Sequence, residues 1–277
     1  MERITKTILI IINLFKIKST MKKIMTLAAM FAAVAMTFSA CNKEQKPDNG
    51  DNEGGNNTEQ TCPDCGENPC VCEPEYEAPI TIDGDFSDWD SVNAAVAYCD
   101  PEAKYTALST FKCYADDVYV FVYFEFVEDE IADRAYVPFH VYLDADGSNT
   151  TGGFGDQWTN AYCEWNLEGV VFDSDAFYSY DPGLYSWTGE PGGEGWLWSD
   201  PAVLGSGSGI GAGAGNGNKY EFSLMREMLM GVEFADTFGI GVDIQQDWSS
   251  VGVLPNAAIT DENTAGKADL LQVTIAK

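Results

Sequence analysis

The chain has 277 residues, a formal net charge of −29, eight Cys and one His, with 45% apolar and 13% aromatic residues. That apolar content excludes a wholly disordered chain. The acidic balance excludes a phosphate-neutralising nucleic-acid surface, and a single His excludes multi-His metal sites.

In chain order, residues 1–20 hold a short apolar run, Ile8 to Phe15, and read as an extension upstream of a true start at Met21. Lys22 and Lys23 then precede an apolar stretch, Ile24 to Ala40, which is the layout of a secretory signal over residues 21–40. At about 17 residues it is short for a retained membrane span. The segment Phe38-Ser39-Ala40-Cys41 resembles the bacterial lipoprotein lipobox, with Phe38 where Leu is usual. The resemblance implies cleavage before Cys41, acylation of its thiol, and an outer-membrane lipoprotein of the bacterial cell envelope. The alternative is a secreted protein with an unmodified Cys41. Removing residues 1–40 takes away more bases than acids, so the mature chain is more acidic still. Such a surface repels anionic lipid and attracts divalent cations.

Residues 41–77 shift to Asn, Asp, Glu, Gly and Pro without hydrophobic periodicity, which reads as a disordered stalk. Its mean reach is roughly 30–36 Å. Within it lie Cys62, Cys65, Cys70 and Cys72. Four thiols so close together read as a unit, as two tight disulfides, as a tetrahedral zinc site or as free thiols. None of these requires catalysis.

Residues 78–277 carry dense strand signals. Val118 to Phe126 is β-branched and aromatic throughout, as in a central strand buried on both faces. Tyr136–Leu143, Tyr162–Leu167, Val170–Asp173, Tyr220–Leu224, Phe238–Gln245 and Leu270–Ile275 follow, and Leu224–Met230 is the one helix candidate. Gly205–Asn218 reads as a low-complexity surface loop, with no Lys-Ser/Thr after it to make a phosphate cradle. The fold class is all-β: a two-sheet antiparallel β-sandwich, jelly-roll-like, behind the stalk.

Five ordered pieces carry a second resemblance. Ile82-Asp83-Gly84 with Asp88-Trp89, then Lys112–Phe126, Val141–Asp146 closed by Thr151-Gly152-Gly153, Lys219–Leu224 with its Glu, and Phe238–Asp243 resemble carbohydrate-binding module family 9-like (DOMON-like) domains. The resemblance implies a two-sheet sandwich, often calcium-bound, with a sugar-binding face in many members; it does not imply an enzyme, and members of this fold also serve as haem or redox modules or have no assigned ligand.

The acidic segment has its own physical case. Asp144, Asp146, Asn149 and Asp156 concentrate hard oxygen donors around Gly147 and suit calcium. An acidic hairpin turn with local Asx bonds is the alternative. Sugar recognition needs indole faces beside polar groups. Trp89 and Trp165 read as core, whereas Trp158, Trp187, Trp196, Trp198 and Trp248 fall in or beside loops. The aromatic-rich stretch 176–198, with Tyr180, Trp187, Trp196 and Trp198, is the candidate ligand surface. Trp196 and Trp198 alternate, so they share one face, either as a platform or as one side of the core. Cys99, Cys113 and Cys163 read as buried thiols, with a Cys99–Cys113 bridge as the alternative, and His140 as a satisfied structural His. These readings converge on a non-catalytic envelope lipoprotein that binds glycan, or else on an adhesive module with a surface-protein partner.

Overall fold

In a computed structural model, residues 76–277 are described, except 128–129, 132, 174–175, 178–181, 204–212 and 230–232. The chain divides into two units, Met1–Glu73 and Pro74–Lys277, and all described residues belong to the second. Cys41, the cluster Cys62, Cys65, Cys70 and Cys72, and Tyr180 lie outside the described residues.

The described strands are β1 (Ala95–Tyr98), β2 (Leu108–Ala115), β3 (Tyr119–Phe126), β4 (Tyr136–Asp144), β5 (Gly153–Phe154), β6 (Tyr162–Cys163), β7 (Trp165–Asp173) and β8 (Ala176–Phe177). They continue as β9 (Gly183–Ser186), β10 (Ala202–Val203), β11 (Gly213–Asn216), β12 (Lys219–Met225), β13 (Thr237–Gln246), β14 (Ser249–Leu254) and β15 (Leu271–Thr274). One sheet runs β1-β2-β3-β12-β11 and the other β10-β9-β7-β4-β13-β14, with β15 on β13 and β8 on β7. Every pairing within them is antiparallel. This is the two-sheet sandwich that the strand pattern requires.

Side-chain alternation decides which faces meet. From β3, Val120, Val122, Phe124 and Phe126 turn inward, and from β4 Val137, Phe139, Val141 and Leu143 do so. Phe139 stacks on Phe222 at 5.5 Å and meets Phe124 at 6.0 Å, which ties the sheets together. The other face of β3 is buried as well, because Ile80 and Trp89 cover Phe121 and Tyr123. A central strand covered on both faces needs the continuous apolar run that the sequence shows.

The opening motif is fixed by one buried acid. Glu221 on β12 accepts from Trp89 Nε1 at 2.8 Å, from the Gly84 amide at 2.9 Å and from the Asp83 amide at 3.1 Å. The Asp-Gly turn and Trp89 are therefore a latch onto the Glu of a distant strand. Burial raises the Glu221 carboxyl above its ordinary range, and those three donors oppose the rise.

Two local expectations change. The helix over Leu224–Met230 reduces to a single 3-10 turn, Arg226–Met228. The ladder from β12 to β3 extends to Met225 opposite Tyr119 and holds that stretch extended. Of the loop expected over Gly205–Asn218, residues 205–212 lie outside the described residues, and Gly213–Asn216 form a strand that pairs with Lys219–Phe222 as an edge, where small residues cost little packing. Cys99, Cys113 and Cys163 are free thiols, the last two buried.

Candidate functional site

Strands β4, β7 and β13 have a second face, turned away from the sandwich core. Their register sets Glu168 opposite His140, and His140 opposite Asp243. Three titratable side chains thus form one row across three neighbouring strands. Loop aromatics wall this row and leave a cleft of about 410 Å³, within the range of small-ligand sites.

The floor is polar and wired. Glu168 Oε2 lies 3.0 Å from His140 Nε2. Asp243 Oδ2 accepts from Gln245 Nε2 and from Ser250 Oγ, both at 2.9 Å, and Ser250 Oγ accepts in turn from Gln157 Nε2 at 3.0 Å. Burial pushes the Asp243 carboxyl up to about 6. Asp243 is only 2% exposed, yet its Oδ1 has no hydrogen-bond partner among the described residues, and neither has His140 Nδ1.

The walls are aromatic. Trp196 is 52% exposed and its ring centroid stands 5.9 Å from that of His140; Trp248, on the β13–β14 turn, is 64% exposed. Tyr142 and Phe154 complete the lining. Behind them, buried Trp158 packs against β13, since a Cβ at Gly241 would come within 2.4 Å of its indole. Only a glycine admits that ring.

Backbone strain gathers here. The non-glycine residues with positive φ among those described are Phe154 (39°), Asn160 (52°), Asp247 (49°) and Trp248 (60°). Phe154 and Trp248 line the cleft, and Asn160 lines an adjoining groove of about 290 Å³ that shares Phe154 and Asp156 with it. Such strain is held where surrounding structure imposes it, and it clusters at binding sites.

The sequence-predicted aromatics separate. Trp196 faces the cleft, whereas Trp198 is buried beneath it against Tyr142 and Trp187. Trp187 is half-buried, with its Nε1 on the Glu190 carbonyl at 3.0 Å. The Trp196 and Trp198 centroids lie 6.4 Å apart, but Trp196 is outside any strand and exposed while Trp198 is buried, so the common strand face that their alternation implies does not form. His140, read from sequence as structural, lies on the cleft floor. Glu168, Asp243, Gln245 and Trp248 were absent from the candidate surface, because single-strand patterns do not report which strands become neighbours.

The acidic loop also regroups. Asp144 and Asp146 converge with Glu164, their ligand oxygens within 4.8 Å of one another. Asn149 is exposed and outside this group, and Asp156 lines the cleft instead. Glu164 is 4% exposed; its Oε2 accepts from the Ala145 amide at 2.8 Å, while Oε1 is buried without a hydrogen bond among the described residues. Burial first, then the neighbouring Asp146 and Asp144 charges, push Glu164 up to about 7; burial pushes Asp144 up to about 6. Three hard carboxylates with one orphaned buried oxygen suit a hard divalent cation.

No family model matches the chain, and no curated protein matches it. Among solved structures, the chain is similar to a carbohydrate binding module family 9 (CBM9) from Caldicellulosiruptor kristjanssonii in complex with cellotriose. The alignment covers 72% of this chain and 90% of that one, at 11% identity and a TM-score of 0.33. The two-sheet architecture stands on the hydrogen-bond ladders, and the ligand question rests on the cleft.

Proposed function

We propose that the sandwich binds glycan in this cleft without turning it over, on a lipoprotein anchored to a bacterial envelope through Cys41. One observation carries the reading: two largely exposed indoles flank a floor of hydrogen-bonded carboxylate, amide and hydroxyl groups. Exposed Trp costs apolar hydration, and a pyranose ring offers the C–H face that would cover it, while its hydroxyls meet the polar floor. Trp248 also sits on strained backbone, as a residue held for its side chain does. An adhesive role would call for an apolar patch without such a floor.

The same reading places calcium at Asp144, Asp146 and Glu164, where a bound cation would neutralise buried like charge and fix the loop that leads to Phe154. Gly152 lies beside that arrangement: its φ is 60°, and a Cβ there would fall 2.1 Å from the Tyr162 carbonyl oxygen and 2.6 Å from Glu164 Oε1.

The test is affinity electrophoresis and calorimetry of the full chain against a panel of soluble polysaccharides and oligosaccharides, with reducing-end release followed in parallel. Binding that weakens about tenfold or more in Trp196→Ala and in Trp248→Ala, with no release, supports the reading. Unaltered binding in both variants, or turnover, overturns it. Acylation of Cys41 is checked by metabolic labelling with a fatty acid and its loss in Cys41→Ser.

A further inference from the structure

The charge of the cleft narrows the ligand class. Among the described residues, Asp156, Glu168 and Asp243 line it, no Lys or Arg does, and the one base there, His140, is already held by Glu168. Asp243 is buried with one oxygen satisfied by neutral donors and the other by none. A sugar hydroxyl would satisfy that oxygen's geometry but leave the buried charge unbalanced. An ammonium supplies both the donor and the charge. The walls agree, because Tyr142, Phe154, Trp196 and Trp248 line the cleft, and aromatic rings attract cations. The net charge of the chain, −29, draws cations toward the site and repels anionic sugars.

We propose that the cleft selects an amino sugar with a free ammonium group, such as a deacetylated hexosamine, its nitrogen donating to Asp243 Oδ1 and its ring lying against the indoles. This rests on the glycan-binding reading and specifies it. Anionic glycans such as uronates are excluded by the same charges, and N-acetylation removes the cation on which selection depends.

The experiment is calorimetry of the full chain with three disaccharides: of glucosamine, of N-acetylglucosamine and of glucose. Short ligands limit the attraction of a polycation to an acidic protein. The glucosamine disaccharide is expected to bind at least about tenfold tighter than the other two. That advantage shrinks between about 20 mM and about 300 mM salt. Asp243→Asn removes it, so that the ratio of glucosamine-disaccharide to glucose-disaccharide affinity falls toward one. A thermal melt confirms that this variant is folded; if it is not, the acetylation and salt comparisons on the wild-type chain decide alone. Equal or tighter binding of the N-acetylated or neutral disaccharide overturns the proposal and leaves glycan binding standing. Failure of all three sugars to bind overturns both. Glucosamine binding unchanged in Trp196→Ala would be attraction to the acidic surface, and it too overturns the proposal.

Discussion

Trp248 gives the sharpest test, because its backbone and its side chain pull in opposite directions. It occupies the second position of the two-residue turn between Gln246 and Ser249, with φ of 60° after Asp247 at 49°. Turns of this kind favour Asn-Gly, since both central residues need positive φ. A bulky side chain there costs roughly 1–2 kcal/mol. The indole recovers part of this by packing near Tyr136, at 6.2 Å between centroids. About a third of a Trp surface is buried, on the order of 50–90 Å², or roughly 1–2 kcal/mol at ~25 cal/mol/Å². Trp248→Gly therefore leaves stability within about 1 kcal/mol of the parent, where a buried Trp truncation costs about 3–5 kcal/mol. Comparing Trp248→Ala with Trp248→Gly isolates the backbone contribution: both lose the indole, and only Ala keeps a Cβ at positive φ. Gly is expected to be the more stable by about 1 kcal/mol, reversing the usual order. For a domain of this size that is a shift of about 2–4 °C in Tm, readable also from urea midpoints. Both variants should bind glycan about tenfold or more weakly. If Ala equals or exceeds Gly in stability, the turn holds no strain. If either variant keeps the parent affinity, the indole is not part of the binding face.

The metal reading has a pH signature. The folded-state carboxyls of Asp144 and Glu164 lie above their unfolded values, at about 6 and about 7. Between about pH 4 and pH 7 the folded chain thus holds protons that the unfolded chain has lost, and metal-free stability falls as pH rises. Calcium, which needs the ionised carboxylates, should raise Tm at about pH 7.5 and do little at about pH 4.5. Identical melts in EDTA and in excess calcium at the higher pH would remove the site. Glu221→Ala strands the Trp89 indole and the Asp83 and Gly84 amides, and should cost about 3 kcal/mol or more in a urea melt. A cost under about 1 kcal/mol would show that the opening motif is not latched there. Gly241→Ala drives a Cβ into Trp158 and should cost about 1–3 kcal/mol, with a change in tryptophan fluorescence; an unperturbed spectrum would refute the close packing.

Much of the architecture was written in local pattern. The apolar run through Val118–Phe126 demanded cover on both faces and has it, from Phe139 of the opposite sheet on one side and Ile80 and Trp89 on the other. The alternation over Tyr136–Leu143 and Phe238–Gln245 marked strands that form β4 and β13. Strands announce themselves in this way because side-chain period is a property of a few adjacent residues. Partnership is not. Only the sheet order β7-β4-β13 puts Glu168, His140 and Asp243 in one row, and only the fold of the loops leaves Trp196 and Trp248 in water while burying Trp158 and Trp198. The acidic loop shows the same division. Asp144 and Asp146 advertise themselves by spacing, but their companion is Glu164, carried in by the strand pairing beside them, rather than Asn149 or Asp156. Periodicity tells each segment what shape to take; which carboxylates and indoles end up sharing a cleft is settled by contacts between segments far apart in the chain.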